Sequence, residues 1–515
     1  MNFNKFLLFS TLLIILGGTS FILAQSRFIE VPSGVGTLNE VIAGDTTATG
    51  ERIDPENTVY VLERYGFYLL TGTISNTGFP LKIWTAEGGG TKPIIQPGVG
   101  EGGVSSPPFR PRGDFHIKGA YVTAMDELGQ THTVMFRLSA DDIKIITEDC
   151  HLDYTGQSIF RLDNKNNSVY VLNSVVSNSG SMASPDNGRG IDDRGNDIDI
   201  VVFENSTFYN FTSRILRDGG GKINYARVVH NTVVNVGQMG ISFGEIIELE
   251  FKNNLFVNTS FFGKRSTSAW SSFDVLPLRE DLVNQGVEQK LTILNNNFYT
   301  APELINAQPD SILASPIFNA VSDSLINAIG TKDNLLNEAI TFTDQPALPV
   351  DLVVANWDFT ITPRPEFDRG GGGPDFGGVQ LPFDYSYPTS STSYTYSTNG
   401  QPLGDLSWFG MIVSVDENLD EIPVSFVLEN NYPNPFNPST VIKYSVPELS
   451  NVNLKIYNSL GQLVKTLVNT TQAAGSYSLQ WDGTSDIGVK VSSGIYIYRL
   501  TTDKFSASKK MMLLK

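Results

Sequence analysis

Asn205-Ser206-Thr207-Phe208-Tyr209-Asn210, His230-Asn231-Thr232-Val233-Val234-Asn235 and Asn253-Asn254-Leu255-Phe256-Val257-Asn258 are three copies of one phrase: two polar residues, an apolar-rich stretch, then asparagine. Earlier copies read Asp149-Cys150-His151-Leu152 and Asn173-Ser174-Val175-Val176-Ser177-Asn178, and a later one reads Asn295-Asn296-Asn297-Phe298-Tyr299. Most recur every 23 to 32 residues, the period of a solenoid. Before each block runs an alternating strand, such as Ser168-Val169-Tyr170-Val171-Leu172, Asp199-Ile200-Val201-Val202-Phe203, Ala226-Arg227-Val228-Val229 or Glu248-Leu249-Glu250-Phe251. Strand, polar corner, strand and turn make one coil of a right-handed parallel β-helix. One coil cannot bury its apolar face alone, so coils stack and like side chains lie above one another. Asn178, Asn210, Asn235 and Asn258 are then expected to form an amide ladder inside a bend.

Working outward, Gly36 to Ile42 reads as a short amphipathic cap over the first coil, followed by strands at Thr58–Leu62 and Pro80–Trp84. The repeat fades after Tyr299, and residues 301 to 365 read as irregular closing structure. The glycine run Gly370 to Gly373 and the tyrosine- and serine-rich stretch Phe383 to Ser397 give 366 to 425 a linker composition. Within it, Leu403 to Val413, with Leu406, Trp408, Phe409, Met411 and Ile412, is apolar enough to pack back on the solenoid as a strap. The expected organisation is a signal over 1 to 24, a β-helix domain over 25 to 365, a linker and closing strap over 366 to 425, and a small β-sandwich over 426 to 515.

The first 24 residues hold Lys5, an apolar run from Phe6 to Ile15 and the small-residue ending Ile22-Leu23-Ala24, the pattern of a secretory signal. No other stretch approaches the ~20 apolar residues of a spanning helix, so no transmembrane segment is expected in the mature chain. A single cysteine, Cys150, excludes a disulfide framework and thiolate zinc sites. Four scattered histidines, His116, His132, His151 and His230, lack metal-ligand spacing and argue against zinc or Ser-His-Asp hydrolysis. The net charge of −18 is uneven: residues 426 to 515 carry nine basic against five acidic residues, which leaves the 25 to 425 segment near −23. Such a field repels phosphate backbones and excludes nucleic acid as the expected partner.

In the last 90 residues, Asn431-Tyr432-Pro433-Asn434-Pro435-Phe436-Asn437-Pro438-Ser439-Thr440 precedes Leu454-Lys455-Ile456-Tyr457-Asn458-Ser459-Leu460-Gly461. Ala474-Gly475-Ser476-Tyr477, Ser493-Gly494-Ile495-Tyr496-Ile497-Tyr498-Arg499-Leu500 and the basic end Lys509 to Lys515 follow. Read from residues, this is a β-sandwich with turns at Leu460-Gly461 and Asp482-Gly483. The stretch resembles the C-terminal sorting domain of type IX secretion substrates over its whole length. The resemblance implies export across the outer membrane of a Gram-negative bacterium, with the type IX machinery as partner and the cargo secreted or held at the cell surface. More distantly, residues 30 to 360 resemble the pectin-lyase-like right-handed β-helix superfamily. That implies an architecture shared by polysaccharide lyases, polygalacturonase-type hydrolases and adhesins, and not one reaction.

Four strands align as Phe136-Arg137-Leu138, Phe160-Arg161-Leu162, Ile191-Asp192-Asp193-Arg194 and Ile215-Leu216-Arg217-Asp218. With the apolar residues inward, Arg137 and Arg161 point outward on one face. Arg217 continues their column, and the coil between is expected to contribute Asp193 or Arg194, according to whether a bulge intervenes. The expected groove holds Arg161, Asp192, Asp193, Arg194, Arg217 and Asp218, beside the turn Asp186-Asn187-Gly188-Arg189. Elimination from a uronate polymer needs a base and a positive group on the carboxylate. Arg194 and Arg217 suit those roles, since the lyases this chain resembles employ arginine. Hydrolysis would need a carboxylate pair, for which Asp192 with Asp193 or Asp218 is the candidate; the Asn-Thr-Asp and Gly-His-Gly blocks of polygalacturonases are absent. Arg137, Arg161, Arg189 and Asp218 are the expected substrate contacts. Mutual neutralisation of arginines and aspartates in a surface ladder is the competing reading, and makes the protein a non-catalytic adhesin or carbohydrate-binding protein. Calcium is left open as a cofactor at Asp192, Asp197 or Asp199, without a calcium-loop signature.

Overall fold

The computed structural model describes residues 26–100, 107–370, 381–411 and most of 427–514; 429–430, 432, 447–449, 459–460, 473–474, 487 and 503–504 are not described. The expected signal, Gly371 to Gly373, Ile412 and Val413 lie outside the described residues.

Period-two alternation builds three parallel faces around one core. On the first, Val169, Val201, Ala226, Leu249 and Leu291 share a register column, and Val171, Phe203, Val228, Phe251 and Ile293 share the next inward one. Leu152, Val176, Phe208, Val233, Phe256 and Phe298 form the column of the second. These two faces run together as a 21-stranded array. A separate four-stranded sheet closes the prism with Val134–Leu138, Ser158–Leu162, Arg189–Asp192 and Arg214–Arg217. Its inward column includes Phe136 and Phe160, whose rings stack at 5.3 Å, with Phe109 continuing the stack at 5.2 Å. The chain is an all-β parallel β-helix solenoid followed by a small antiparallel sandwich.

Polar corners hold the coils in register. Asn173, Asn205, Asn253 and Asn295 sit at φ 46–60°, where asparagine is tolerated better than most side chains. The expected bend ladder is present: Asn210 donates to Asn178 at 3.0 Å, Asn235 to Asn210 at 3.4 Å and Asn258 to Asn235 at 3.2 Å. A second ladder runs wholly inside the corner. The Ser206 amide donates to Asn231 Oδ1 (3.2 Å), that of Asn231 to Asn254 Oδ1 (3.0 Å) and that of Asn254 to Asn296 Oδ1 (2.9 Å).

Helix Thr37–Gly44 caps the first coils, burying Leu38 and Ile42. At the far end, the closing structure expected over 301 to 365 is irregular for more than half its length and includes three helices, Pro302–Asn306, Ala320–Ile329 and Val350–Trp357, and one strand. Strand Thr331–Leu336 extends the stack by pairing with Lys290–Tyr299, and helix Ala320–Ile329 buries Ile326 against the open core. The closing role is legible but the helices within it are not, because they answer to burial of one end rather than to the coil period.

Residues 381–411 lie along the second face, where Tyr385, Tyr387 and Leu403 pack with Tyr209, Val234 and Leu255. Their backbone reads the corner residues directly: Leu406 N–H donates to Asn205 Oδ1 (2.7 Å), Asp405 N–H to Thr232 Oγ1 (2.9 Å) and Thr398 N–H to Asn253 Oδ1 (2.9 Å). The buried Asp405 carboxylate accepts from Thr207 (2.7 Å) and Ser407 (2.6 Å). Burial pushes it up to about 6 and pulls His230, beneath Gly404, down to about 4. A carboxyl raised above its unfolded value of about 3.9 is more protonated in the folded state, so its contribution to stability falls as pH rises from about 4 to 6. His230 acts in the opposite sense, gaining stability as pH rises from about 4 to 6.5. Asp405→Asn is therefore expected to remove only the first component. Relative to wild type, amide protection over 403–406 should improve as pH rises from 4 to 7; a pH-independent difference between the two proteins would contradict this.

In the C-terminal part, Thr440–Val446 pairs with Gly475–Trp481, while Ser450–Asn458 lies between Leu463–Gln472 and Gly494–Thr501, with Ser506–Leu513 on the far edge. Trp481, Tyr498, Leu454 and Ile456 fill the space between the two sheets.

Candidate functional site

The four-stranded face carries an unbroken outward column. Arg137 is opposite Arg161, Arg161 opposite Asp192 and Asp192 opposite Arg217. The coil between therefore contributes Asp192, and not Asp193 or Arg194. Phe160 pairs directly with Ile191, so no bulge shifts this register, and the chain has already turned away at Arg194, whose φ is 59°. With strands about 4.8 Å apart, a guanidinium or its partner is presented at every coil.

Two carboxylates organise this strip. Asp163 accepts from Arg161 Nε (2.8 Å) and Arg137 Nε (2.5 Å). Burial works to raise this carboxyl, yet the two arginines hold it below the usual range. Asp192, whose side chain is only 2% exposed, receives Arg189 Nη1 at 2.9 Å and Arg217 Nη1 at 2.9 Å, with Arg194 Nη1 at 3.9 Å. One buried carboxylate thus faces three guanidiniums, and the strip stays positive within an acidic domain.

The remaining carboxylates of the expected groove are bound to backbone amides. Asp193 turns under the next coil, its Oδ2 accepting the Gly219 amide at 2.9 Å, and burial pushes it up to about 6. Asp218 accepts the Gly220 amide at 2.7 Å and is also raised by burial. It presses on Gly244 (φ 58°), where a Cβ would fall 2.2 Å from its Cγ, so only glycine fits there. The carboxylates considered for calcium do not converge. Asp197 accepts the Lys222 amide (3.0 Å), Asp199 accepts from Asn224 Nδ2 (2.8 Å), and Asp192 is held by arginine. Among the described residues no group of three or more histidine, cysteine or carboxylate side chains is arranged to hold a metal ion.

Arg214 is the member that strand alignment overlooked. It pairs in register with Arg189. Its guanidinium reaches only Ser213 Oγ (3.3 Å) and Gln238 Oε1 (3.4 Å), with no carboxylate within 4.0 Å among the described residues. Burial, with Arg189 and Arg217 nearby, pulls it down to about 10. Burial likewise lowers Arg189, and its Nε is buried without a partner. In the strand Arg214–Arg217 two buried residues, Ile215 and Leu216, separate the polar ends, a pattern that period-two alternation does not predict. A separate cleft of about 560 Å³ opens at another corner, between Asp149, His151 and Asn173 of the coils and Trp408 and Met411 of the strap.

These features define a parallel β-helix with an arginine-lined face, joined to a small sandwich. Residues 439–505 match the family model of the FlgD Ig-like domain. Among solved structures, the dimeric latent PorU of Porphyromonas gingivalis is 29% identical over 17% of this chain and 9% of its own, with a TM-score of 0.15. FlgD of P. aeruginosa is 25% identical over 14% of this chain and 57% of its own (TM-score 0.12). PorZ, described as a surface component of the type IX secretion system of P. gingivalis, is 19% identical over 20% of this chain and 13% of its own (TM-score 0.14). The chain thus spans less than two thirds of each of these relatives. No curated protein matches it.

Proposed function

We propose that this protein is exported by its C-terminal domain and engages an acidic extracellular polysaccharide along the arginine strip, cleaving a uronate-containing chain by β-elimination. In this reading residues 1–24 are a secretion signal, 25–365 the glycan-engaging solenoid, 366–425 a linker and strap, and 426–515 a type IX sorting domain. The motif from Asn431 to Thr440 and the sandwich that follows it support the sorting role. The protein then works at, or beyond, the outer surface of a Gram-negative bacterium. The pectin-lyase-like resemblance supports the substrate class.

The observation that carries the reaction is Arg214, a desolvated guanidinium with no carboxylate within 4.0 Å among the described residues, beside Arg189 and Arg217. In its neutral form it removes the proton from the carbon next to the uronate carboxylate. The electron pair left behind forms the ring double bond, the C–O bond to the neighbouring sugar breaks, and the leaving oxygen takes a proton from water. Arg217 and Arg194 face the carboxylate as negative charge spreads onto it. Arg137, Arg161 and Arg189 hold the chain along the coils. Asp163 fixes the guanidiniums of Arg137 and Arg161 and Asp192 those of Arg189 and Arg217, so both carboxylates serve as clamps rather than as nucleophiles.

Incubation with alginate, pectate or a glycosaminoglycan is expected to raise ultraviolet absorbance from the unsaturated product with one of them. The second reading, a non-catalytic adhesin or carbohydrate-binding protein, is favoured by the neutralising clamp at Asp192. Retention on an affinity gel of one polymer without any absorbance change would establish that reading instead. Neither signal with any of the polymers would remove both.

A further inference from the structure

The four-stranded sheet of the C-terminal sandwich has an outer face that nothing in the described residues covers. Ile495 sits opposite Met512 and Ile497 opposite Lys510, with Tyr457 beside Ile497 and Leu463 beside Tyr457. Leu463, Ile495, Ile497 and Met512 are 50%, 41%, 37% and 38% exposed. Their neighbours along each strand, Tyr496, Tyr498 and Met511, are buried in the core, so the exposed set follows from the alternation and is not a frayed edge. Isolated surface apolar residues are ordinary; a contiguous row across three or four strands of a small domain marks a binding surface.

The rest of the face is graded. One step along from the apolar row, Lys455 is opposite Arg499, which in turn is opposite Ser508. Beyond these come Asn453 and Asn469, joined side chain to side chain at 2.7 Å. Arg499 Nε finds only Ser508 Oγ (3.2 Å), and neither Lys455 nor Lys510 has a carboxylate within 4.0 Å among the described residues. The domain is basic where the rest of the chain is strongly acidic.

We propose that this face is the recognition surface of the domain, docking a protein partner whose apolar patch is rimmed by carboxylates. The proposal rests on the sorting-domain reading of residues 426–515 and says which side of the sandwich the export machinery grips. Charge complementarity fixes the rim: three cations with no carboxylate partner among the described residues, around an apolar centre, favour acidic groups on the partner. A protein fits better than a lipid surface because the apolar residues lie on the strands of a hydrogen-bonded sheet, and among the described residues no helix flanks them to enter a bilayer.

The test uses the full chain in a host with a working type IX system, scoring surface-exposed and released protein. Ile495→Asp/Ile497→Asp and the charge reversal Lys455→Glu/Arg499→Glu/Lys510→Glu are compared with wild type and with a chain ending before residue 427. Both face variants are expected to lose export by at least tenfold while keeping the wild-type melting profile. The charge reversal alone decides if the aspartate variant melts early, because its three side chains are outside the core. If the truncated chain is exported, the sorting reading itself fails. If truncation blocks export but the charge reversal travels normally, the sorting reading stands and this face is overturned. Purified wild type that sediments with phosphatidylglycerol vesicles, or dimerises through this face, would also overturn the protein partner.

Discussion

Replacing Asn254 by leucine is expected to destabilise the solenoid by about 3–4 kcal/mol, whereas serine at the same position should cost about 1 kcal/mol. Asn254 is fully buried. Its Oδ1 accepts both the backbone and the side-chain N–H of Asn231 (3.0 and 3.1 Å), and its Nδ2 donates to Val228 O (2.8 Å) and Asn296 Oδ1 (3.0 Å). Leucine has nearly the same bulk but leaves those groups without partners or water, and a buried orphan costs more than a hydrogen bond gains. Serine is the informative contrast because the chain already uses it two coils earlier. Ser206 Oγ accepts the Ser174 amide at 3.1 Å and donates to Glu204 O at 2.9 Å, the same pattern with a shorter arm. Guanidinium unfolding gives the magnitudes. Amide exchange should place the damage in the coils of Asn231 and Asn296, since solenoid stability is shared mainly between nearest neighbours. Equal costs for serine and leucine would mean that packing volume, and not polar satisfaction, governs this corner.

That corner also shows what the sequence makes legible and what it hides. The paired Asn-Asn and His-Asn phrases announce the coil period because both residues are constrained: the first by its left-handed backbone and the second by the inner ladder. Side chains under such backbone demands cannot vary freely, and so the repeat shows. The outer faces carry no such demand. There the sequence reveals that Arg137, Arg161 and Arg217 alternate with apolar residues, but not which residue of Ile191-Asp192-Asp193-Arg194 joins them. A turn that starts one residue earlier or later exchanges an inward for an outward side chain. Arg214 is hidden for a related reason: its value lies in having no carboxylate partner among the described residues, and pairing is a property of three dimensions. The strap was legible from Leu406 and Trp408 as something that must pack, while its attachment to Asn205 and Asn253 depends on backbone groups that no composition records.

The largest functional effect is expected at Arg214. If its guanidinium is the base, activity requires the small neutral fraction, which grows tenfold per pH unit below its value of about 10. Initial rates on the responsive polyuronate should therefore rise about 100-fold between pH 7 and pH 9 and level off near pH 10. Arg214→Ala should lower turnover by about 10²–10⁴-fold with a smaller change in KM. Arg214→Lys should restore part of the rate and shift the plateau to the value of the new amine. Arg137→Ala and Arg161→Ala, which sit farther along the strip and share Asp163, are expected to raise KM and leave the pH profile intact. Asp192→Asn separates positioning from chemistry. It leaves Arg189, Arg194 and Arg217 facing a neutral amide, so polyanion affinity should rise at low salt while turnover falls because the guanidiniums are no longer held in place. A flat pH profile from 7 to 9, with Arg214→Ala weakening retention no more than Arg161→Ala does, would reduce Arg214 to one more contact on a binding face.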